Sequence, residues 1–230
     1  MTAMSSTDPS VPLGGWTVVL PVKGGPGAKT RLGHPARTDL AGAVALDTVA
    51  AVLACPLVSR VLVVTADAQV AAAHGALGAQ VVPDPGDGLT TALAAGAAAA
   101  ARAGAATDSP CALLLADLPS LRPEDLGDAL AACAGLLAAG VQQVTVPDAD
   151  GTGTVLLAAG SASALRPRFG PGSAAAHAVE AAVLTAAPER VRRDVDTAEH
   201  LADAVRLGVG PRTAAVLAAV SPARPSPRET

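Results

Sequence analysis

The sequence predicts an α/β protein with a mostly parallel central sheet and helices on both faces, a Rossmann-like arrangement. Three observations predict it. Short β-branched runs alternate with Ala-rich helical stretches along the whole chain. Runs such as VLVV at 61–64 and ALLL at 112–115 are apolar on both faces, the pattern of a strand covered from either side. Helix punctuation falls between the runs, with Pro123 suited to a first helical position and Gly208 suited to a stop.

Taken in order, the first strand is expected at Trp16–Val22, followed by a glycine-rich loop and a helix over Thr38–Ala54. A strand at Ser59–Thr65 leads to a helix at Ala68–Leu77, then a short strand at Gln80–Val82 and a helix at Thr90–Ala103. The apolar run Ala112–Leu115 is the next strand. Its helix covers Pro123–Ala139, where Glu124 and Asp125 place negative charge in the first turn. Strands at Gln143–Val146 and Thr154–Ala158 follow, then a helix at Ala174–Leu184 and a strand at Arg190–Val195. Asp196 and Glu199 have capping-box spacing ahead of a helix at Thr197–Leu207, and Pro211–Val220 is the last helix. The chain of 230 residues suits one such domain over 15–220, with 1–14 and 221–230 expected as disordered tails.

Composition excludes several classes. With a net charge of −4 and only Trp16 and Phe169 as aromatics, the chain lacks the basic patch and stacking rings of a nucleic-acid binder. The longest uncharged stretch, Ala129 to Pro147, is broken by Gly135, Gly140, Gln142 and Gln143, so no membrane span is expected. The first residues have neither a positive n-region nor an apolar h-region, so no secretory signal is expected. Cys55, Cys111 and Cys133 lie far apart in apolar sequence and read as reduced core thiols of a cytoplasmic protein.

In an open α/β sheet, ligands bind beyond the carboxyl ends of the strands, so the polar residues there carry the chemistry. After the first strand, LPVKGGPGAKTRL sets Lys23, Lys29 and Arg31 among Gly24, Gly25 and Gly27. Glycines let a backbone approach phosphates closely, and the cations offset their charge. A Walker A loop would need Gly where Lys23 and Ala28 stand, and a dinucleotide fingerprint would need Gly at Thr30. The segment is either a flexible basic loop or a triphosphate cradle of another kind.

Asp117 follows the ALLL run, delivered to the ligand edge by Leu113–Leu115. Asp194 and Asp196, two apart on an extended chain, point to one side. Three bare carboxylates at one edge would repel one another unless a cation joined them, and a set without His or Cys suits Mg²⁺. The alternatives are a helix N-cap for Asp196 and a solvated partner of Arg192 or Arg193 for Asp194. In FGPGSAAAH, Ser173 reads as an N-cap or as part of an anion site at the helix start. Backbone N–H groups of Thr152, Gly153 and Thr154 offer a second place for a small anion.

The ordered set VLPVKGGPGAKTRL, LADLPSL, GTGTVLL, FGPGSAAAH and RRDVDTAEHL resembles the guanylyltransferases of coenzyme F420 biosynthesis, which act on phosphoenolpyruvate or 2-phospho-L-lactate. The likeness runs from about Trp16 to Leu207. It implies a nucleotidyltransferase fold with Mg²⁺ on Asp117, Asp194 and Asp196, and GTP phosphates facing Lys23, Lys29 and Arg31 beside Gly24 and Gly25. It further implies that the acceptor's carboxylate meets the backbone at Thr154 and Gly170 and the hydroxyl of Ser173. Thr90 stands where the family reads Asn, and its hydroxyl is the expected substitute in a nucleotide contact. The Ala-rich, Arg-for-Lys composition is similar to that of actinobacterial members, which favours phosphoenolpyruvate over 2-phospho-L-lactate or 3-phosphoglycerate. The expected partners are therefore GTP and a small phosphorylated carboxylate; a homodimer is compatible with the chain. The rival readings are a transferase for a sugar phosphate or molybdenum cofactor, a nucleotide-binding dehydrogenase domain with Asp67 gripping a ribose, and a non-catalytic nucleotide-binding domain.

Overall fold

The computed structural model describes residues 15–24, 33–34, 36–103 and 109–220. Among them a seven-stranded sheet runs in the order β3-β2-β1-β4-β6-β5-β7. Its strands are β1 (Trp16–Pro21), β2 (Val58–Thr65), β3 (Gln80–Pro83), β4 (Cys111–Leu114), β5 (Gln143–Pro147), β6 (Thr154–Ala159) and β7 (Ala182–Val183). All pairings are parallel except those of β6, which runs against both β4 and β5. The start of β6 therefore lies at the same edge as the ends of the parallel strands.

Strand side chains alternate between two cores, as the two-residue period of a strand requires. Val18, Leu20, Val61, Val63, Ala112 and Leu114 enter one core, whose helical residues come from α1 (Arg37–Ala54), α4 (Pro123–Ala138) and α6 (Glu189–Arg192). Val19, Leu62, Val64, Leu113 and Leu157 enter the other, under α3 (Leu89–Ala103). On that helix Gly96 lies against β1 and β2, where a Cβ would stand 2.3 Å from Val19. The remaining helices are α2 (Ala68–Ala76), α5 (Ser173–Ala178), α7 (Ala198–Leu207) and α8 (Pro211–Val220). Buried Asp47 of α1 accepts from Arg212 N at 3.2 Å and Thr213 N at 2.8 Å, capping α8 from a distant part of the chain.

Two expected elements are corrected. Arg190–Val195 is not a strand: α6 occupies Glu189–Arg192 and irregular backbone follows. Its β-branched residues, Val191 and Val195, are buried by helix and loop packing instead. The helix expected over Ala174–Leu184 stops at Ala178, and β7 joins the sheet beside β5 through Val144 and Thr145. Ala-rich sequence carried a helical propensity that strand pairing overrode at Ala182 and Val183. The remaining elements match within one or two residues, and the proposed tails lie outside the described residues.

Candidate active site

Asp117 leaves β4 on a loop held from several directions. Leu115 N donates to Val155 O at 2.9 Å, Gly210 N to Pro119 O at 2.8 Å, and Ser120 Oγ to Ala204 O of α7 at 2.8 Å. Leu118 N donates at 3.2 Å to the hydroxyl of Thr48, a fully buried α1 residue that itself donates to Val44 O at 2.8 Å. In LADLPSL the leucines and Ser120 thus fix the loop. Asp117 is left at the ligand edge, and Thr48 is an anchor that sequence reading missed.

The Asp194–Asp196 segment reaches Asp117 directly. Val195 N donates to Asp117 O at 3.1 Å, so a backbone hydrogen bond joins the two motifs. The cap alternative for Asp196 falls away, and Asp194 is not a solvated surface charge. Thr197, not Asp196, caps α7, its Oγ1 accepting from His200 N at 3.2 Å. Asp194 is buried rather than solvated. Arg192 donates to the carbonyls of Pro147, Asp148 and Thr185, and Arg193 pairs with Asp150 at 3.2 Å and Asp203 at 3.7 Å. Asp117, Asp194 and Asp196 each take part in a polar interaction, so the picture of three bare, mutually repelling carboxylates is set aside.

Among the described residues no group of three or more His, Cys, Asp or Glu side chains is assembled to hold an ion by itself. The donor chemistry nonetheless fits Mg²⁺. That ion is usually held by one or two carboxylates together with substrate phosphates and water, rather than by an all-protein cage. Asp117 and the Asp194–Asp196 segment provide hard oxygen donors of that kind at one place.

Of the residues expected to face the nucleotide, Lys23 is exposed two residues after β1, and Gly24 lies against Asp67, which follows β2. Asp67 Oδ1 accepts from Gln69 N at 2.8 Å and Val70 N at 3.1 Å, capping α2. Gly25, Lys29 and Arg31 lie outside the described residues. Thr90 Oγ1 donates to Phe169 O at 2.8 Å, so its hydroxyl proton ties α3 to the segment before Gly170.

The acceptor residues expected from the resemblance are brought together. Thr154 N donates to Ser173 Oγ at 2.9 Å, and both residues are buried. Ser173 is therefore not the N-cap; that position belongs to Gly172, and no side chain caps α5. The N–H groups expected as an anion cradle are already engaged in this state. Thr152 N and Gly153 N donate to the two oxygens of Asp148 at 2.9 and 2.6 Å, and Thr154 N is held by Ser173. The Ser173 hydroxyl keeps its own proton for a further acceptor.

Ser173→Ala should accordingly affect two quantities. A buried Thr154 N–H loses its partner, at a cost of about 1–3 kcal/mol, so thermal unfolding should fall by several degrees. The acceptor KM should rise about tenfold or more, because a donor to a charged group is lost. An unchanged KM with a lowered Tm would restrict Ser173 to bracing β6 against α5.

The fold and the edge where β1, β4 and β6 present these groups define a nucleotidyl-transferring domain. Residues 24–191 match the MobA-like NTP transferase domain. A solved 4-diphosphocytidyl-2C-methyl-D-erythritol synthase shares the fold with a TM-score of 0.58 at 15% identity, covering 84% of this chain and 98% of that one. A protein of Salinispora arenicola named phosphoenolpyruvate guanylyltransferase is 50% identical, covering 90% of this chain and 95% of its own. One of the same name from Streptomyces coelicolor is 49% identical, covering 88% and 96%. The chain belongs to the phosphoenolpyruvate guanylyltransferase family.

Proposed function

We infer that this protein transfers the guanylyl group of GTP to phosphoenolpyruvate, releasing pyrophosphate and forming enolpyruvoyl-2-diphospho-5'-guanosine. The observation that carries this reading is the 50% identity to a phosphoenolpyruvate guanylyltransferase across 90% of the chain. The hydrogen-bonded junction of Asp117 with Asp194–Asp196 supports it at the site. The product fits a step of coenzyme F420 biosynthesis, and the buried free thiols fit the cytoplasm.

A phosphate oxygen of phosphoenolpyruvate attacks the α-phosphorus of GTP, the new P–O bond forms, and the bond to the β-phosphate oxygen breaks. The nucleophile is already an anion, so no general base is needed. The obstacle is repulsion: two unit charges 4 Å apart oppose each other by roughly 4 kcal/mol at an effective dielectric of 20. Lys23, Lys29 and Arg31 offset this charge from the nucleotide loop, and Asp117 with Asp194 and Asp196 would hold Mg²⁺. When bound, Mg²⁺ supplies charge neutralisation across the phosphates. The hydroxyl proton of Ser173, whose oxygen is held by Thr154 N–H, and the backbone at Gly170 hold the acceptor's carboxylate, which aligns its phosphate for attack.

The test is pyrophosphate release from each nucleoside triphosphate with Mg²⁺ and phosphoenolpyruvate. GTP is expected to be the fastest donor, and release should depend on the acceptor. Equal or faster release with CTP or ATP would overturn the assignment of the donor.

A further inference from the structure

His177 stands at the end of FGPGSAAAH, almost fully buried, and neither the sequence motifs nor the transfer chemistry gives it a role. Its ring joins two pieces of chain that the acceptor needs. Arg168 N lies 2.8 Å from Nε2, and Thr154 Oγ1 lies 2.8 Å from Nδ1. A backbone N–H can only donate, so Nε2 must carry the lone pair and Nδ1 the proton. Nδ1–H then donates to Thr154 Oγ1, which also lies 3.4 Å from the hydroxyl of Thr145. The Phe169 ring meets the imidazole edge-on at 5.0 Å, and Thr90 holds the carbonyl of that same residue.

We propose that His177 is a positioning residue of the acceptor subsite, holding β6 at Thr154 and the backbone ahead of Gly170 in one fixed relation. The proposal rests on the reading that phosphoenolpyruvate binds at Thr154, Gly170 and Ser173. Through Thr154 the ring also sets the N–H that meets Ser173 Oγ, so all three acceptor elements depend on one neutral tautomer. Protonation would place an N–H on Nε2 against the N–H of Arg168, and that bond would be lost.

The surroundings oppose protonation. Burial, then the nearby Arg168 guanidinium, lowers the imidazole pKa below its usual 6.5, while a hydrogen bond to the Ser173 backbone acts weakly in the other direction. Arg168 pairs with Glu180 at 2.7 Å, and β5 and β6 bring no charged residue to the ring, only the hydroxyls of Thr145 and Thr154. A His held neutral stabilises the fold fully above its unfolded pKa, and this contribution is lost as pH falls through the lower folded value. Tight acceptor binding should follow the same course.

Two substitutions divide the ring's functions. His177→Asn keeps a donor near the Nδ1 position and loses the acceptor for Arg168 N; His177→Gln keeps an acceptor near Nε2 and loses the donor to Thr154. In each, the KM for phosphoenolpyruvate should rise about tenfold or more, with kcat and the KM for GTP within about twofold of wild type. The substrate's phosphate titrates in the same range, so the informative quantity is the ratio of variant to wild-type KM. It should shrink as the pH is lowered below 6.5 far enough for wild type to lose its neutral ring. Unchanged acceptor KM in folded variants, or equal loss in kcat and both KM values, overturns the proposal. If the variants fail to fold, ¹⁵N NMR of the wild-type imidazole decides. A proton on Nδ1 and a ring signal that responds to added phosphoenolpyruvate support it, while a proton on Nε2 or an unresponsive ring overturns it. Wild type that binds no phosphoenolpyruvate in the same titration overturns the functional reading and this proposal together. Wild type that binds it with an indifferent His177 overturns this proposal alone.

Discussion

Replacing Asp117 by Asn should slow guanylyl transfer by about 10³-fold or more, a loss far larger than its effect on thermal stability. The amide has nearly the same shape as the carboxylate, and the loop that carries it is fixed by neighbours. Leu118 N is held by Thr48, Pro119 O by Gly210 N, Ser120 by the Ala204 carbonyl, and the Asp117 carbonyl by Val195 N. None of these bonds uses the side chain, so they hold the loop when the carboxylate's charge and its own polar interaction are lost. A metal ion contributes several kcal/mol of charge stabilisation in such reactions, and about 4 kcal/mol corresponds to three decades of rate. Asp194→Asn and Asp196→Asn should act in the same direction, and the double variant should be little worse than either single one. Pyrophosphate release measured across a Mg²⁺ titration, alongside thermal unfolding, checks this. Near-normal turnover of Asp117→Asn at low Mg²⁺ would remove the residue from the catalytic set.

The route by which these aspartates meet was only half legible in the sequence. The run Leu113–Leu115 marks β4, and a polar residue after it must fall at the ligand edge, so Asp117 was placed by pattern alone. Asp194 and Asp196 were expected beside it at the end of a parallel strand, but α6 and irregular backbone bring them there instead. A stretch containing Val191, Val195 and three arginines has no clear period, and long-range contacts fix its place, the Val195–Asp117 hydrogen bond and the Arg192 bonds to the Pro147 and Asp148 carbonyls among them. Ser173 shows the same limit. A Ser ahead of an Ala-rich run reads as a cap, whereas the chain turns one residue earlier at Gly172 and frees Ser173 to brace Thr154. Thr48 and His177 had no local signal at all, because their partners lie on other elements.

Gly24→Ala should reduce kcat/KM for GTP by about 10²-fold, and a second substitution should restore most of the loss. Gly24 follows β1, whose ladder with β2 continues as Val22 N donates to Val64 O at 2.9 Å. Two residues on, the backbone passes Asp67 so closely that a Cβ would stand 2.0 Å from Oδ2, 2.4 Å from Cγ and 2.8 Å from Cβ of that residue. Asp67 cannot simply swing aside, because its Oδ1 caps α2 through two N–H groups. Loss of a cap costs about 0.5–2 kcal/mol, so the strain divides between frayed helix and displaced loop. Displacement of the backbone at Gly24 carries Lys23 with it. A shift of about 1 Å in a positioning element is enough for a 10²-fold loss. Asp67→Gly removes the Cβ, Cγ and Oδ2 that face Gly24 together, and Gly is a tolerated N-cap residue. The double variant Gly24→Ala/Asp67→Gly should therefore recover GTP turnover to within about tenfold of wild type, and its Tm should rise above that of Gly24→Ala alone. Steady-state kinetics with GTP varied and thermal unfolding of all four proteins read this cycle. A double variant no better than Gly24→Ala would mean that the glycine is required by the phosphates themselves and not by the carboxylate behind it.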